Sequence, residues 1–348
     1  MFLKSLDQGQ ELSVESFQTK HFTWRWGYAR SADSRSHNDP GQDFIVFNYR
    51  PGVFSFALCD GVSQSFLGDL AARFLGVNLL DWLNTVQRGL DENAYRNQLN
   101  LHLANLALEA EAEVRNITLP DSISPMLREV LEKKRGSGTE TTFVCGCVSL
   151  PEMDLPKGWL LLAWMGDSRL RVWNVKGEVF QDYATTFKTN QRWSSSRGIV
   201  GGDVHIYAAP LMDENGEPVV QRLLAYSDGL ASLDKSEIHM TNSQLQATIN
   251  RLWESPSSDD ISMLDFWLDA PTEILANTLL AEADSIQLIE SKQKIQENPQ
   301  PENHIQENID PVPTSPDEIT QKLKPLPPGT DINSTKPMRK AWLSFWRK

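Results

Sequence analysis

Acidic residues recur in this sequence at points where an apolar run begins or ends. They are Asp60, Asp167 and Asp228, each of which follows such a run, and Asp259 and Asp260, which precede one. Carboxylate oxygens are the ligands that hard cations such as Mg²⁺ and Mn²⁺ prefer. A single aspartate at a strand end is usually a turn former. The recurrence along the chain instead predicts one metal site that the fold assembles from distant residues.

Short apolar runs bounded by glycine turns predict the strands that must position these carboxylates. The predicted strands cover 21–30, 44–48, 53–58, 139–150, 159–165, 170–175, 223–227 and 261–268. Apolar residues at helical spacing predict helices over 66–86, 93–116, 123–134 and 242–253. Residues 176–220 are less regular and have two interpretations, a mobile flap over a site and a variable surface insertion.

The composition limits the classes of function. The chain has 348 residues, 40% of them hydrophobic, and a formal net charge of −13. This size and apolar content suffice for a large core, whereas general nucleic-acid binding would need a basic surface. No apolar run has membrane-spanning length, and the N-terminal residues lack the apolar core of a signal peptide. We therefore expect a cytoplasmic protein that does not bind nucleic acid.

The cysteines do not predict a disulfide framework, because there are only three of them. Cys145 and Cys147 lie in one apolar run, where they would share a face of a strand. A redox or soft-metal pair is one interpretation. Two small buried hydrophobic residues is the interpretation that we favour.

The composition also divides the chain into segments. We expect a loose lead-in over 1–16, a folded domain over 17–270 and a helix over 271–297. Residues 298–335 are rich in Pro, Glu, Asn and Gln, which predicts a disordered linker. Residues 336–348 combine basic residues with Trp342, Phe345 and Trp346, which can share one helix face. This basic amphipathic tail predicts docking to a protein or to an anionic membrane surface; the alternative is an end without a role.

Six motifs follow one another along the chain. They are GQD at 41–43, CDGVSQS at 59–65, GSGTETT at 136–142, MGDSR at 165–169, YSDGL at 226–230 and DDIS at 259–262. This series, over 17–270, resembles that of the metal-dependent protein phosphatases (the PPM, or type 2C, serine/threonine phosphatases), and it is closest to a divergent bacterial branch of that family. The resemblance implies an α+β fold: a four-layer α-β-β-α sandwich of two mainly antiparallel sheets flanked by helices.

The resemblance also implies a centre of two Mn²⁺ or Mg²⁺ ions, with a place for a weak third. The metal ligands that it assigns are Asp60, the Gly61 carbonyl, Asp228 and Asp259, with Asp167 at the third-ion position. Asp60 would bridge both ions. Gln42 and Asp43 occupy the place of the acidic pair that orients metal-bound water, so that Asp60, Asp43 and Gln42 are the catalytic candidates.

The activity that the resemblance implies is that of a phosphoserine and phosphothreonine protein phosphatase. A hydroxide that bridges the two ions would attack phosphorus directly, without a covalent intermediate. The implied partners are phosphorylated proteins and a cognate serine/threonine kinase in a bacterial signalling pathway.

The sequence departs from the family pattern at several positions. Val62 stands where the family often has a histidine, and Gln42 replaces the more usual glutamate. Asn38 occupies the place of a phosphate-binding arginine, and Arg35 or Arg30 is the candidate for that contact instead. Ser232 removes a carboxylate associated with the third ion. These departures keep a second interpretation open, in which the chain is a pseudophosphatase that binds phosphoproteins or acts as a scaffold.

Overall fold

Antiparallel pairing of short apolar strands produces two sheets in this protein. The structure, a computed structural model, describes residues 2–179, 181–235 and 240–268. The predicted helix 271–297, the linker 298–335 and the tail 336–348 lie outside these residues. None of the helices within the described ranges has the length and apolar content needed to cross a bilayer.

The first sheet has eight strands. They are β1 (Phe2–Ser5), β4 (Asp43–Arg50), β5 (Val53–Gly61), β6 (Glu140–Ser149), β7 (Trp159–Met165), β10 (Arg192–Ser194), β11 (Gly198–Val200) and β12 (His205–Ala209). The order runs β1-β4-β5-β6-β10-β11, and β7 pairs with both β6 and β12. Part of the irregular 176–220 segment is therefore built into the sheet.

The second sheet has six strands. They are β2 (Leu12–Gln18), β3 (Phe22–Ala29), β8 (Arg169–Asn174), β9 (Gly177–Glu178), β13 (Arg222–Tyr226) and β14 (Ile261–Leu268). Their order is β2-β3-β14-β13-β8-β9. Aromatic side chains fill the space between the sheets: the Phe54 ring lies 5.0 Å from that of Trp24 and 4.9 Å from that of Phe266. Burial of each such ring contributes about 1.5–3 kcal/mol.

Helices cover the outer faces of the sheets. On the first sheet, α2 (Gly68–Thr85) approaches so closely that a Cβ atom at Gly76 would lie 2.8 Å from the Phe44 ring. The longer α3 (Glu92–Asn116) packs beside it, and its Leu103 carbonyl accepts a hydrogen bond from Trp193 in β10 at 3.0 Å. On the second sheet lies α5 (Asn242–Trp253), with Leu245 and Ile249 buried. The predicted α+β sandwich of two antiparallel sheets flanked by helices is confirmed.

Two further α-helices complete the fold. A helix α1 (Ala32–His37) forms inside the segment that joins β3 to β4, capped by the Ser31 side chain, which accepts from the Ser34 backbone N–H. A second, α4 (Pro125–Ser137), is capped in the same way by Ser124. Such caps satisfy backbone donors that the first helical turn leaves free.

The expectation of a loose lead-in over 1–16 is wrong, because both ends of that segment pair with strands. Residues Phe2–Ser5 form β1 against β4, and β2 begins at Leu12 against β3. The Phe2 ring also stacks on Phe17 at 5.1 Å and on Phe47 at 6.1 Å. Both strands are short and half-exposed, so their alternating pattern resembles that of a polar segment.

A buried ion triad joins three strands of the second sheet on the face that α5 covers. Asp265 accepts hydrogen bonds from Arg25 at 2.9 and 3.2 Å and from Arg222 at 2.7 and 2.8 Å. Both guanidinium groups lie over the Trp267 ring, and Arg25 also donates to Asn242 in the first turn of α5. The three cysteines are buried and free, in agreement with their apolar surroundings.

Candidate metal centre

The pairing of β4 with β5 places two aspartates side by side. Asp43 is the direct register partner of Asp60, and directly opposed residues of an antiparallel pair share one face of the sheet. Phe54 and Phe56 share the parity of Asp60 and pack between the sheets, so both carboxylates belong to that inner face at its edge. Cys59 has the opposite parity and lies beside the α2 position Gly76.

Glycines bring the start of α2 onto the end of β5. A Cβ atom at Gly61 would lie 2.4 Å from the Gly68 carbonyl oxygen, and one at Gly68 would lie 3.0 Å from the Gly61 carbonyl carbon. No larger residue fits either position without movement of the backbone. The Gly61 N–H also donates to the Gln42 carbonyl at 3.2 Å, which ties the end of β5 to the start of β4.

A second close approach joins the turn after β13 to the residues before β14. A Cβ atom at Gly229 would lie 2.1 Å from the Asp260 carbonyl oxygen. The Ser227 N–H donates to the Ser262 carbonyl at 3.0 Å, and the Ser262 N–H donates to the Ser227 hydroxyl at 2.9 Å. Asp228 and Asp259 are the neighbours of these contacts in sequence, so the two predicted ligands come together from opposite strands.

The two adjacent acids at 259 and 260 have different surroundings. Asp260 is buried, and its carboxylate accepts from the Ser31 N–H at 2.7 Å and from the Gln42 N–H at 3.0 Å. Asp259 is exposed, and one of its oxygens caps the Asp260 N–H at 2.8 Å. Asp260 therefore fixes the start of α1 and the start of β4, while Asp259 keeps oxygen atoms available at the surface.

The turn after β7 places Asp167 on the same edge. Gly166 adopts φ +104°, a conformation that favours glycine, and a Cβ there would lie 2.3 Å from the Thr142 side chain. The hydroxyls of Thr142 and Ser168 are hydrogen-bonded at 2.8 Å. Because Thr142 is the register partner of Asp60 on β6, this turn lies next to Asp60.

The pKa of Asp60 reflects its burial and the repulsion among these acids. Burial, followed by the carboxylates of Asp43, Asp228, Asp167 and Asp259, raises the pKa of Asp60 well above the usual aspartate range. Like charges in one site disfavour ionisation of each other. The acids that the sequence pattern singled out therefore lie close enough to interact electrostatically, although they are separated by long stretches of chain.

Two further pKa values report the same repulsion. Burial and then the Asp260 carboxylate raise the pKa of Asp43 well above its usual range, against the opposing effect of the Ser227 and Ser262 hydroxyls. For Asp228, desolvation and then Asp259 and Asp167 raise the pKa to about 6, although part of its side chain reaches solvent. The ionised form of each carboxylate is therefore disfavoured, and a bound cation would stabilise it.

The donor chemistry fits a hard divalent cation. Neither carboxylate oxygen of the buried Asp43, nor Oε1 of Gln42, has a partner at hydrogen-bond geometry among the described residues, and the Ser227 and Ser262 hydroxyls that lower the pKa of Asp43 lie only nearby. No arginine or lysine in these ranges lies within ion-pair distance of Asp43 or Asp60. A buried carboxylate without a partner is costly, and Mg²⁺ or Mn²⁺ takes oxygen ligands of this kind. Within the described ranges, no three His, Cys, Asp or Glu side chains are gathered as a complete ligand set, so a cation would have to draw the carboxylates inward.

Arg35, a residue proposed from the sequence for phosphate contact, binds Trp253 instead. The Arg35 guanidinium donates to the Trp253 carbonyl at 2.6 Å and lies 4.1 Å from the Trp253 ring centroid. Asn38 ends α1 in the left-handed conformation at φ 57°. Two cations of the irregular 176–220 segment, Arg192 and Arg197, lie beside the site, and both contact Glu140. The sequence pattern predicts no contact of this kind for them.

Comparison with known proteins gives a likeness in structure only. No protein-family model matches the chain, and no curated protein matches it. Among solved structures, the serine/threonine phosphatase Stp1 from Staphylococcus aureus has 14% identity and a TM-score of 0.47, over 75% of this chain and 98% of that one. RsbX in complex with magnesium has 9% identity and a TM-score of 0.41, over 74% and 100%. The S. agalactiae serine/threonine phosphatase has 13% identity and a TM-score of 0.39, over 77% and 100%.

Proposed function

We propose that this protein is a divalent-cation-dependent phosphatase of phosphoserine and phosphothreonine residues in proteins, a phosphatase of the PPM kind. The observation that carries the proposal is the buried Asp43 carboxylate, which lies opposite Asp60 and has neither a partner at hydrogen-bond geometry nor a cation within ion-pair distance among the described residues. Three further carboxylates act electrostatically on the same edge of the first sheet. This concentration of unpaired oxygen donors is the chemistry of a Mg²⁺ or Mn²⁺ site.

The proposed ligands follow from these positions. Asp60 and the carbonyl of Gly61 would hold cations from β5, and Asp228 and Asp259 would hold them from the second sheet. Asp167 would contribute to a weaker third site. Cations bound there would act as Lewis acids that lower the pKa of water and offset charge on a phosphoryl group.

The remaining polar groups of the site have positioning tasks. Both oxygens of Asp43 can accept hydrogen bonds from a water molecule on the face that carries Asp60, and Oε1 of Gln42 can accept another. Asp260 keeps Gln42 in place through the Gln42 N–H. Val62 offers no proton to a leaving oxygen, and in this proposal a solvent molecule supplies that proton.

Hydrolysis of p-nitrophenyl phosphate and of a phosphothreonine peptide, with and without Mn²⁺, tests the proposal. We expect turnover that requires Mn²⁺ and that falls by more than about 100-fold in Asp60→Asn, since a lost metal ligand removes several kcal/mol of transition-state stabilisation. Asp154→Asn, at an exposed loop position, is the matched control and should keep full activity.

The same assay separates the enzyme from the pseudophosphatase interpretation. Binding of the phosphopeptide without turnover of either substrate, in protein that has bound Mn²⁺, would indicate a phosphoprotein-binding scaffold. Turnover that is unchanged in Asp60→Asn would refute the assignment of the site. Phosphorylated proteins and their kinase are the partners that the proposed activity requires.

A further inference from the structure

Two arginines beside the site converge on one buried glutamate. Arg192 of β10 and Arg197 of the turn that follows both donate to the Glu140 carboxylate. The Glu140 side chain is 9% exposed, whereas that of Arg197 is 53% exposed. One negative charge is therefore shared by two positive charges, and the outer arginine keeps part of its charge facing solvent.

The register places this cluster on the face that carries the acids. Glu140 lies two residues before Thr142, the register partner of Asp60, and so has the same parity. Trp193 points to the helix side, since its ring stacks on Phe74 of α2 at 5.9 Å. Arg192 must then point to the opposite face, together with Glu140.

The loop that follows Asp60 lies directly against the cluster. The Val62 N–H donates to the Glu140 carbonyl at 2.9 Å, and the Glu140 N–H donates to the Ser65 hydroxyl at 3.1 Å. Loop 62–65 is thus held between the site and the arginines. Ser63 is three residues from Asp60, a distance of at most about 10 Å along the chain.

A third cation contacts the same loop from α4. Lys134 Nζ donates to the Ser63 carbonyl at 3.4 Å, and within the described ranges no carboxylate lies within ion-pair distance of Lys134. The Ser196 hydroxyl donates to the Ser137 carbonyl at 2.6 Å, which joins the end of α4 to the turn that carries Arg197. Lys134 and Arg197 therefore flank loop 62–65.

We infer that Lys134 and Arg197 form a basic rim that selects phosphorylated residues with acidic neighbours in their own sequence. The inference rests on the proposed function. It follows from the position of uncompensated positive charge beside the site in a chain whose formal net charge is −13. Residues one to three positions from a phosphoresidue reach about 4–10 Å from it in an extended peptide, which matches the span of the loop. Charge complementarity of this kind governs specificity and association more than total affinity.

Paired phosphothreonine peptides test the inference in the full chain. The peptides carry glutamates, glutamines or lysines at the flanking positions, and kcat/KM is measured with Mn²⁺ for each. An exposed ion pair changes an equilibrium by about two- to threefold, so two rim cations should favour the glutamate peptide over the glutamine peptide by about fivefold. The preference should weaken at high salt, because exposed charges are screened.

The variant Lys134→Gln/Arg197→Gln should lose this preference and keep the wild-type rate on p-nitrophenyl phosphate, which has no flanking residues. Lys176→Gln is the matched control, since Lys176 follows β8 at the end remote from Asp167. A double variant that keeps the preference, or a wild-type protein without one, would overturn the inference while leaving the phosphatase proposal intact. Absence of any turnover of p-nitrophenyl phosphate by the wild type would overturn both.

Discussion

Replacement of Asp228 by asparagine should make the protein more stable without metal and less stable with it. In the metal-free protein, desolvation and then repulsion by Asp259 and Asp167 raise the pKa of Asp228 from 3.8 to about 6. Asparagine keeps the size of the side chain and removes the charge. With Mn²⁺ present, the same substitution removes a proposed ligand.

The magnitude follows from the pKa. A rise of about two units corresponds to about 3 kcal/mol between the two protonation states at neutral pH. The Asp228 side chain is exposed, so solvent screening reduces the stabilising effect of the variant to about 1 kcal/mol. For a domain of this size that is a rise in Tm of about 2–4 °C. Mn²⁺ at about 100 times its Kd should stabilise the wild type by about 2.7 kcal/mol, and the variant by much less.

Thermal unfolding with chelator and with Mn²⁺ measures this crossover, and Asp154→Asn controls for loss of an aspartate elsewhere. Because the folded-state pKa of Asp228 is raised, its unfavourable contribution is present above about pH 6 and disappears as the pH falls toward 4. The metal-free advantage of Asp228→Asn should disappear over the same range. A variant that is less stable than the wild type in chelator, or that Mn²⁺ stabilises as much as it stabilises the wild type, would refute the account of Asp228.

Three further substitutions test the framework around the site. Asp265→Asn should destabilise the protein by about 3–5 kcal/mol in urea unfolding, because it leaves two buried arginines without their carboxylate; a loss below about 1 kcal/mol would contradict this. Gly61→Ala should cost about 1–3 kcal/mol, since its Cβ would lie 2.4 Å from a backbone oxygen, whereas Gly136→Ala, with open space around its Cβ, should be tolerated. Burial raises the pKa of Asp69 to about 6, against the opposing charge of Arg73. The contribution of Asp69 to the free energy of unfolding should therefore fall as the pH rises from 4 through 6. Asp69→Asn should flatten that part of the curve of stability against pH.

The sheets were predictable where a strand is buried on both faces. The strands β7 and β14 have the bounds predicted from their apolar runs, and so does the amphipathic α5. The edge strands β1 and β2 were missed, because half-exposed strands pair through their backbone and leave only a weak alternation in the sequence.

The acidic residues of the site were predictable from the sequence, whereas the hydrogen bonds and ion pairs that position them were not. Asp60 stands at the end of a buried strand, and the apolar run that forms this strand is a local signal in the sequence. The division of labour between Asp259 and Asp260 depends on the backbone N–H groups of Ser31 and Gln42, which come from distant segments. The contact of Arg197 with Glu140 likewise arises from tertiary packing that no local pattern encodes.

The number of Mn²⁺ ions bound by the full chain at equilibrium, counted by dialysis and electron paramagnetic resonance, tests the central claim most directly. The account predicts about two ions per wild-type chain, fewer than one in Asp60→Asn, and the wild-type number in Asp154→Asn. A wild-type chain that binds no Mn²⁺, or an Asp60→Asn chain that binds as much as the wild type, would contradict it.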